Sequence, residues 1–195
     1  MKVLAAVIFV VSCAVPLILA QSDLQFVGRC PNVTTKANFS ETQFKGRWYE
    51  IRKFPNQLIP GDCGSPNYAQ QANGFNVSYA SRNITQNRNY TDSIQLKKQV
   101  VGPVPGKYDV YNRNVKERIP HFVLDTDYNT YSLVWGCSYT SSSNTNTQRL
   151  FLYSRTNSLS TATINKAIDI LKKFKIDHNK LRNVVQDDKQ CARKK

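Results

Sequence analysis

The alternation of apolar and polar positions along the middle of the chain is typical of β-strands. Runs rich in Tyr, Val, Ile, Phe and Thr recur, and residues that favour turns separate them. These runs predict eight strands, at residues 46–54, 67–73, 75–82, 90–99, 107–112, 118–125, 130–138 and 148–155. Asn73-Gly74 indicates a hairpin between the second and third strands. The polar stretch 140–147 predicts a loop.

One helix is predicted after the strands, at residues 160–175. Its apolar positions recur at helical spacing, and Ser158 and Ser160 are the alternatives for its N-cap. We expect this helix to pack on the outer face of the sheet rather than on a membrane. Eight strands and one helix predict an all-β fold, an eight-stranded antiparallel up-and-down barrel with one C-terminal α-helix outside. The apolar stripe is Ile164, Ala167, Ile168, Leu171 and Phe174.

The third predicted strand shows which of its faces is inside. Phe75, Val77 and Tyr79 alternate with polar residues, so they share one face of the strand. Asn76, on the other face, begins an N-glycosylation sequon and must therefore be outside. The three apolar side chains are expected to face the interior of the barrel, which in an eight-stranded barrel has room for one small ligand.

The N-terminus predicts secretion. Lys2 precedes an apolar run over residues 3–20, which is typical of a signal peptide, with a membrane anchor as the alternative. Residues 21–195 then fit one domain, and no later stretch is apolar enough to span a bilayer. The 27 Lys and Arg residues against 13 Asp and Glu give a net charge of +14. They are dispersed and form no nucleic-acid-binding motif, so we expect no nucleic-acid partner.

Cysteines and sequons agree with an extracellular protein. Cys13 lies in the predicted signal peptide, and four cysteines remain, an even number that favours disulfides but leaves three pairings open. None of the four lies in a CxxC pair, so no metal site is expected. Five sequons predict a glycoprotein. The cysteines are Cys30, Cys63, Cys137 and Cys191, and the sequon asparagines are Asn32, Asn38, Asn76, Asn83 and Asn89.

No pattern of catalytic residues stands out. The chain has two histidines, His121 and His178, and neither a Gly-x-Ser-x-Gly elbow nor an HExxH motif. No nucleophile with an adjacent base is evident. We therefore expect a protein that is not an enzyme and requires no cofactor.

Three short motifs resemble those of the lipocalin family. The segments 46–51, 126–131 and 154–155 resemble its GxW, TDxxxY and third motifs, through Gly46, Trp48, Thr126, Asp127, Tyr131 and Arg155. The resemblance implies that Arg155 lies across the indole of Trp48 at the closed end of the barrel. That cation–π contact is worth about 1–2 kcal/mol where it is desolvated. These motif residues are expected to be structural and not to touch the ligand.

Further segments resemble the group of apolipoprotein D and the insect bilin-binding proteins. They are Cys30-Pro31, Gly61-Asp62-Cys63 and the segments 134–137 and 190–191. This resemblance implies disulfides Cys30–Cys137 and Cys63–Cys191. It also implies a secreted carrier of a small hydrophobic ligand, held at the open end opposite Trp48. The expected lining residues, for each of which core packing is the alternative, are Tyr68, Phe75, Val77, Tyr79, Tyr108, Phe122, Trp135 and Phe151.

Two classes of ligand and one other function stay open. A pigment such as biliverdin would need cations near the rim, for which Arg82, Arg88 and Arg118 are the choices by position, whereas a fatty acid, sterol or retinoid would need mainly apolar wall. The alternative function is a glycosylated extracellular recognition protein that binds a cell-surface receptor through loops 55–66 and 138–148. An open interior would favour a carrier, and a well-filled one would favour recognition.

Overall fold

The structure is a computed structural model that describes residues 23–57, 59–99, 104–112 and 115–192. The predicted signal peptide lies outside these residues. The strands are β1 (Leu24–Val27), β2 (Gly46–Arg47), β3 (Tyr49–Lys53), β4 (Asn67–Gln71), β5 (Gly74–Asn83), β6 (Arg88–Lys98), β7 (Lys107–Asn112), β8 (Val115–Thr126), β9 (Tyr131–Thr140), β10 (Thr145–Ser154) and β11 (Arg182–Asn183). The α-helices are α1 (Glu41–Phe44), α2 (Thr161–Lys173) and α3 (Asp188–Cys191), and a 3-10 helix spans His178–Lys180.

The strands form one antiparallel up-and-down sheet, as predicted. From β4 to β10 each strand pairs with the next along the chain, and β3 pairs with β10. The predicted first strand is bent at Trp48 into β2, which pairs with β4, and β3. Because one bent segment pairs with both β4 and β10, it brings the two edges of the sheet together around an interior. Two further backbone bonds, from Trp48 N to Pro66 O and from Glu50 N to Gly64 O, each 2.9 Å, extend this seam.

The eight predicted strands are confirmed, with shifted ends. The prediction of a loop over 140–147 was too long, because β9 continues to Thr140 and β10 begins at Thr145. The ladder pairs Thr140 with Thr145, so even these polar residues satisfy their backbone groups across the hairpin. Two short strands were not predicted: β1 pairs with the first half of β10, and β11 pairs with β3. Neither is long enough to show a clear alternation.

Apolar side chains fill both faces of this sheet. One cluster lies inside the barrel and includes Trp48, Tyr68, Val110 and Phe151. The other lies on the outer face of β8–β10, where α2 covers it with Ala167 and Leu171. Helix α2 begins after Ser160, whose side chain accepts a hydrogen bond from Thr163 N. The predicted packing of the helix on the outside of the sheet is thus confirmed.

The two ends of the barrel differ, and we name them by what lies there. The floor is the end where the connections after β4, β6 and β8 lie; α1 is tied to this end, because Ser40 N donates to the hydroxyl of Tyr128 at 3.0 Å. The mouth is the opposite end, where the connections after β3, β5, β7 and β9 lie. Among the described residues, no helix is long and apolar enough to cross a membrane.

Two disulfides tie the outer segments to this frame. Cys30 is bonded to Cys137 on β9, and Cys63, in the connection after β3, is bonded to Cys191 of α3. They are the two pairs that the family resemblance implied. The second bond, together with the ion pair of 2.7 Å between Arg182 and Asp62, holds the C-terminal segment against residues 61–63.

Candidate functional site

The floor is built on Arg155. Its guanidinium carbon lies 3.6 Å from the centroid of the Trp48 ring, as the family resemblance implied. The guanidinium also donates to the backbone carbonyls of Gln43, Phe44, Lys45, Arg47 and Tyr128 at 2.8–3.2 Å. Burial lowers the pKa of Arg155. One cation thus satisfies five carbonyls, from α1, Lys45, β2 and the connection between β8 and β9, which is a structural role.

Asp127 shapes the floor connection between β8 and β9. Burial pushes its pKa upward, but hydrogen bonds from the backbone N–H groups of Tyr131, Thr130 and Asn129 outweigh that effect and lower the pKa. Thr126 donates its hydroxyl to the carbonyl of Tyr131 at 2.7 Å. Thr126 and Asp127 therefore close this turn and are not among the residues that line the cavity.

An internal cavity lies above the floor, between Trp48 and the mouth. Its volume is about 20 Å³, room for about one water molecule, so side chains fill most of the barrel. Pockets for small organic ligands are usually of the order of 300–1,000 Å³. A ligand of that size must therefore displace side chains or the connection after β3. We call this connection, residues 54–57 and 59–66, the loop over the mouth. The lining residues are Ile59, Pro66, Tyr68, Val77, Tyr79, Ile94, Val110, Ile119, Pro120, His121, Val134, Trp135, Gly136, Arg149, Phe151 and Tyr153.

Neutral polar groups cluster on one side of the cavity. The Tyr68 hydroxyl lies 3.4 Å from Nε2 of His121, and it also forms a hydrogen bond with Tyr153. Burial lowers the pKa of His121 to about 3, because the interior disfavours the charged imidazolium. Burial raises the pKa of Tyr68 and of Tyr153. At neutral pH this cluster therefore offers a ligand uncharged donors and acceptors.

A buried ion pair holds the loop over the mouth. Lys53 Nζ lies 2.7 Å from Oε2 of Glu50, and both side chains are fully buried. The same Nζ donates to the carbonyl of Ile59 at 2.8 Å. Ile59 lines the cavity and is 5% exposed, so it acts as a plug. A second hydrogen bond, from the backbone N–H of Ile59 to Oδ1 of Asn56 at 2.8 Å, holds Ile59 in the same position.

Strand alternation would not have placed both partners of this ion pair on one face. Residues three apart in a regular strand point to opposite faces. Here the register with β10 shifts between Leu152 and Tyr153, so that Glu50 lies opposite Tyr153 and Lys53 lies opposite Phe151. The bulge turns both charged side chains toward the interior.

The predicted lining residues fall into three groups: those that line the cavity, those that pack inside the barrel near the floor, and those whose side chains face outward. Tyr68, Val77, Tyr79 and Phe151 line the cavity with their side chains on the inner face. Phe75 and Tyr108 are also inside the barrel, but they pack near the floor, with their ring centroids 5.5 Å apart. The Tyr108 hydroxyl donates to Oε1 of Glu41 at 2.7 Å.

The prediction was wrong for the side chains of Phe122 and Trp135. Both rings belong to the outer cluster, with centroids 6.3 Å apart. The Trp135 indole donates to Oε1 of Gln148 at 3.0 Å. Trp135 is nevertheless one of the residues that border the cavity, and its neighbours Val134 and Gly136 lie opposite the inward Phe151 and Arg149. The error was one of strand parity, which a single sequence leaves undetermined where both faces are apolar.

The predicted rim cations lie on the strands beside the mouth, but they are not among the residues that line the cavity. Arg82 donates to the carbonyl of Ala192 at 2.5 Å, outside the barrel. Arg118 is 61% exposed and paired with Asp109 at 2.6 Å. Arg88 lies over the ring of Tyr90 at 5.2 Å. The arginine that lines the cavity is Arg149, which the sequence analysis did not select.

Most of the predicted glycosylation sites lie on the surface. Of the sequon asparagines, Asn32, Asn38, Asn76 and Asn89 are exposed and Asn83 is half-buried. Among the described residues, no group of three or more His, Cys, Asp or Glu side chains is arranged to hold a metal ion.

A sheet wrapped around an apolar interior, a floor closed by Arg155 on Trp48, and an outer helix define a β-barrel of the kind that binds small molecules. The model of the lipocalin / cytosolic fatty-acid binding protein family matches residues 45–188. The chain belongs to this family, which confirms the resemblance seen in its motifs.

The chain is similar to several known proteins in sequence and in structure. The chain is 30% identical to rat (Rattus norvegicus) apolipoprotein D over 112 residues, 57% of this chain and 59% of that protein. It is 26% identical to the Lazarillo protein of Schistocerca americana over 184 residues, 93% of this chain and 86% of that protein. The structure of insecticyanin from the tobacco hornworm Manduca sexta aligns with a TM-score of 0.73 at 23% identity, covering 87% of this chain and 93% of that one.

Proposed function

We propose that the protein is a secreted carrier that binds one small hydrophobic ligand inside the barrel and is not an enzyme. The observation that carries this proposal is the internal cavity, which lies between the Trp48 floor and the Ile59 plug and has mostly apolar walls. A biliverdin-type pigment, a fatty acid, a sterol and a retinoid are the ligand classes. No cofactor is required, and nucleic acid is not a partner.

Entry of the ligand requires the mouth to open. The cavity of about 20 Å³ is far smaller than any of these ligands. Residues 61–63 are fastened to the C-terminal segment by the Cys63–Cys191 disulfide and the Arg182–Asp62 ion pair. The loop before them is held over the cavity by a few hydrogen bonds to Lys53 and Asn56. Movement of this part of the loop lifts Ile59 from the interior.

Secretion rests on the signal peptide predicted over residues 1–20. Residues 21–195 then form a single lipocalin domain with two disulfides, which agree with an oxidising compartment. Glycans at the exposed sequons would cover part of the outside and leave the interior free.

A recognition role is the second proposal, and the small cavity favours it. A filled barrel presents stable loops at the mouth, and residues 55–66 and 138–148 would contact a receptor there. The two proposals differ in whether a ligand enters the barrel.

A titration of the secreted protein with biliverdin, and separately with retinol, tests the carrier proposal. The readouts are the visible absorption of the pigment and tryptophan fluorescence. Trp48 contributes to this fluorescence from inside the barrel. We expect saturable binding of one ligand per chain. Absence of binding across pigment, retinoid, sterol and fatty acid would reject the carrier proposal in favour of recognition.

A matched pair of variants locates the ligand. Val134→Phe adds a ring on the inner face, and Leu133→Phe adds one under α2, on the next residue of the same strand. We expect Val134→Phe to weaken binding at least tenfold and Leu133→Phe to leave the Kd within twofold. Equal effects of the two variants would place the ligand outside the barrel.

A further inference from the structure

Arg149 stands on the inner wall of the barrel, toward the mouth. It alternates along β10 with the inward Phe151 and Tyr153, and it lies opposite Gly136, which has no side chain to cover it. Its side chain is 15% exposed. Of the lining residues that the structure describes, Arg149 alone carries a permanent charge, since His121 is neutral at physiological pH.

Only part of the hydrogen-bonding capacity of the Arg149 guanidinium is used. Its Nη2 is paired with the carboxylate of Asp23, just before β1. Its Nε is buried and has no hydrogen-bond partner among the described residues. A buried donor without a partner costs free energy, so an acceptor oxygen placed beside it is favoured. A guanidinium can hold a carboxylate through two parallel hydrogen bonds, one of which Asp23 already makes.

Asp23 also touches the loop over the mouth. Its Oδ1 accepts a hydrogen bond of 2.9 Å from the backbone N–H of Gln57. One carboxylate therefore links the arginine of the cavity wall to the segment between Phe54 and the Ile59 plug. A carboxylate from another molecule that replaced Asp23 at Arg149 would release this link.

We infer that Arg149 anchors the carboxylate of an anionic amphipathic ligand and that Asp23 is the internal stand-in for that carboxylate. This inference rests on the carrier function proposed above and names the ligand class. The apolar body of the ligand lies deeper, against Phe151 and the wall of Ile94, Val110 and Ile119. The net charge of +14 on the chain favours the approach of an anion. Displacement of Asp23 frees Gln57, so binding of the head group and opening of the mouth are coupled.

Retinoate and retinol test the inference at pH 7.5, because they share an apolar body and differ in the charge of the head group. Binding is followed by quenching of tryptophan fluorescence in the wild type and in three variants. We expect the wild type to bind retinoate more tightly than retinol, and Arg149→Met to remove that preference. Asp23→Asn should tighten retinoate binding about fivefold and leave retinol binding within twofold. Arg29→Met, an exposed arginine over the Tyr139 ring, is the matched control and should change neither.

The outcomes separate this inference from the carrier proposal. Saturable binding of both retinoids with equal affinity in the wild type and in Arg149→Met would overturn the inference and leave the carrier function standing. Binding of neither retinoid, nor of a fatty acid, would reject both. Thermal unfolding shows whether Arg149→Met is folded. If it is not, Asp23→Asn decides, because an unchanged ratio of retinoate to retinol affinity in that variant also overturns the inference.

Discussion

His121 makes the stability of the barrel depend on pH in a way that a single substitution can isolate. The imidazole is buried in the cavity wall, and its pKa is lowered to about 3 in the folded protein, against about 6.5 in an unfolded chain. Between these two values the unfolded state binds a proton that the folded state does not. Stability from this group is therefore complete above pH 6.5 and is lost as the pH falls toward 3.

The size of the effect follows from the two pKa values. At pH 5.0 the unfolded histidine is mostly protonated and the folded one is neutral, which costs about 2 kcal/mol relative to pH 7.5. Carboxylates add their own pH dependence, but they are the same in a variant that lacks only this imidazole. His121→Gln should therefore lose about 2 kcal/mol less than the wild type between pH 7.5 and 5.0.

Urea unfolding at the two pH values measures this difference directly. His178→Gln is the matched control, because it removes the other histidine of the chain, in the 3-10 helix on the surface. We expect that control to follow the wild type. The same pH dependence in His121→Gln and in the wild type would refute the assignment of His121 as a neutral, buried base.

Three more predictions concern the links that hold the barrel together. Lys53→Met should cost about 3–5 kcal/mol in urea unfolding, because it leaves Glu50 charged and buried, and Glu50→Gln/Lys53→Met should recover most of that loss; equal losses would contradict it. Arg155→Lys should cost about 2–3 kcal/mol, because an ammonium cannot reach the same carbonyls, with the loss read from thermal unfolding. Cys63→Ser/Cys191→Ser should lose about 4–5 kcal/mol by chain entropy, and a change below about 1 kcal/mol would show that other contacts already fix the C-terminal segment.

The sequence predicted the barrel because its signals are local and repeated. The alternation through Phe75, Val77 and Tyr79 predicted an inner face that the structure has, and the spacing of Ala167 and Leu171 predicted a helix packed on the sheet. Short elements such as β1 and β11 carry too few residues for such a pattern. Their positions depend on pairing with strands far away in the chain.

The interior was harder to predict, for three physical reasons. Phe122 and Trp135 lie on strands that are apolar on both faces, so hydrophobicity alone does not tell which side is in. The bulge opposite Glu50 and Lys53 turns both inward, and no residue pattern marks it. The sequence predicts Arg149 to be a surface residue, because arginine is rarely buried without a partner. Its partner Asp23 lies far away in the chain and could not be identified from the sequence.

Both ends of the described chain lie at the mouth. Asp23 is bound beside Arg149, and Cys191 and Ala192 are held to Cys63 and Arg82 at the same end of the barrel. A tag at either terminus would thus attach the protein to a biosensor chip or a resin with its mouth toward the support. Immobilisation through the exposed Lys45, whose carbonyl is bound by Arg155 at the floor, would instead present the mouth to solution. Kinetic traces for the two orientations should differ for any ligand that enters there.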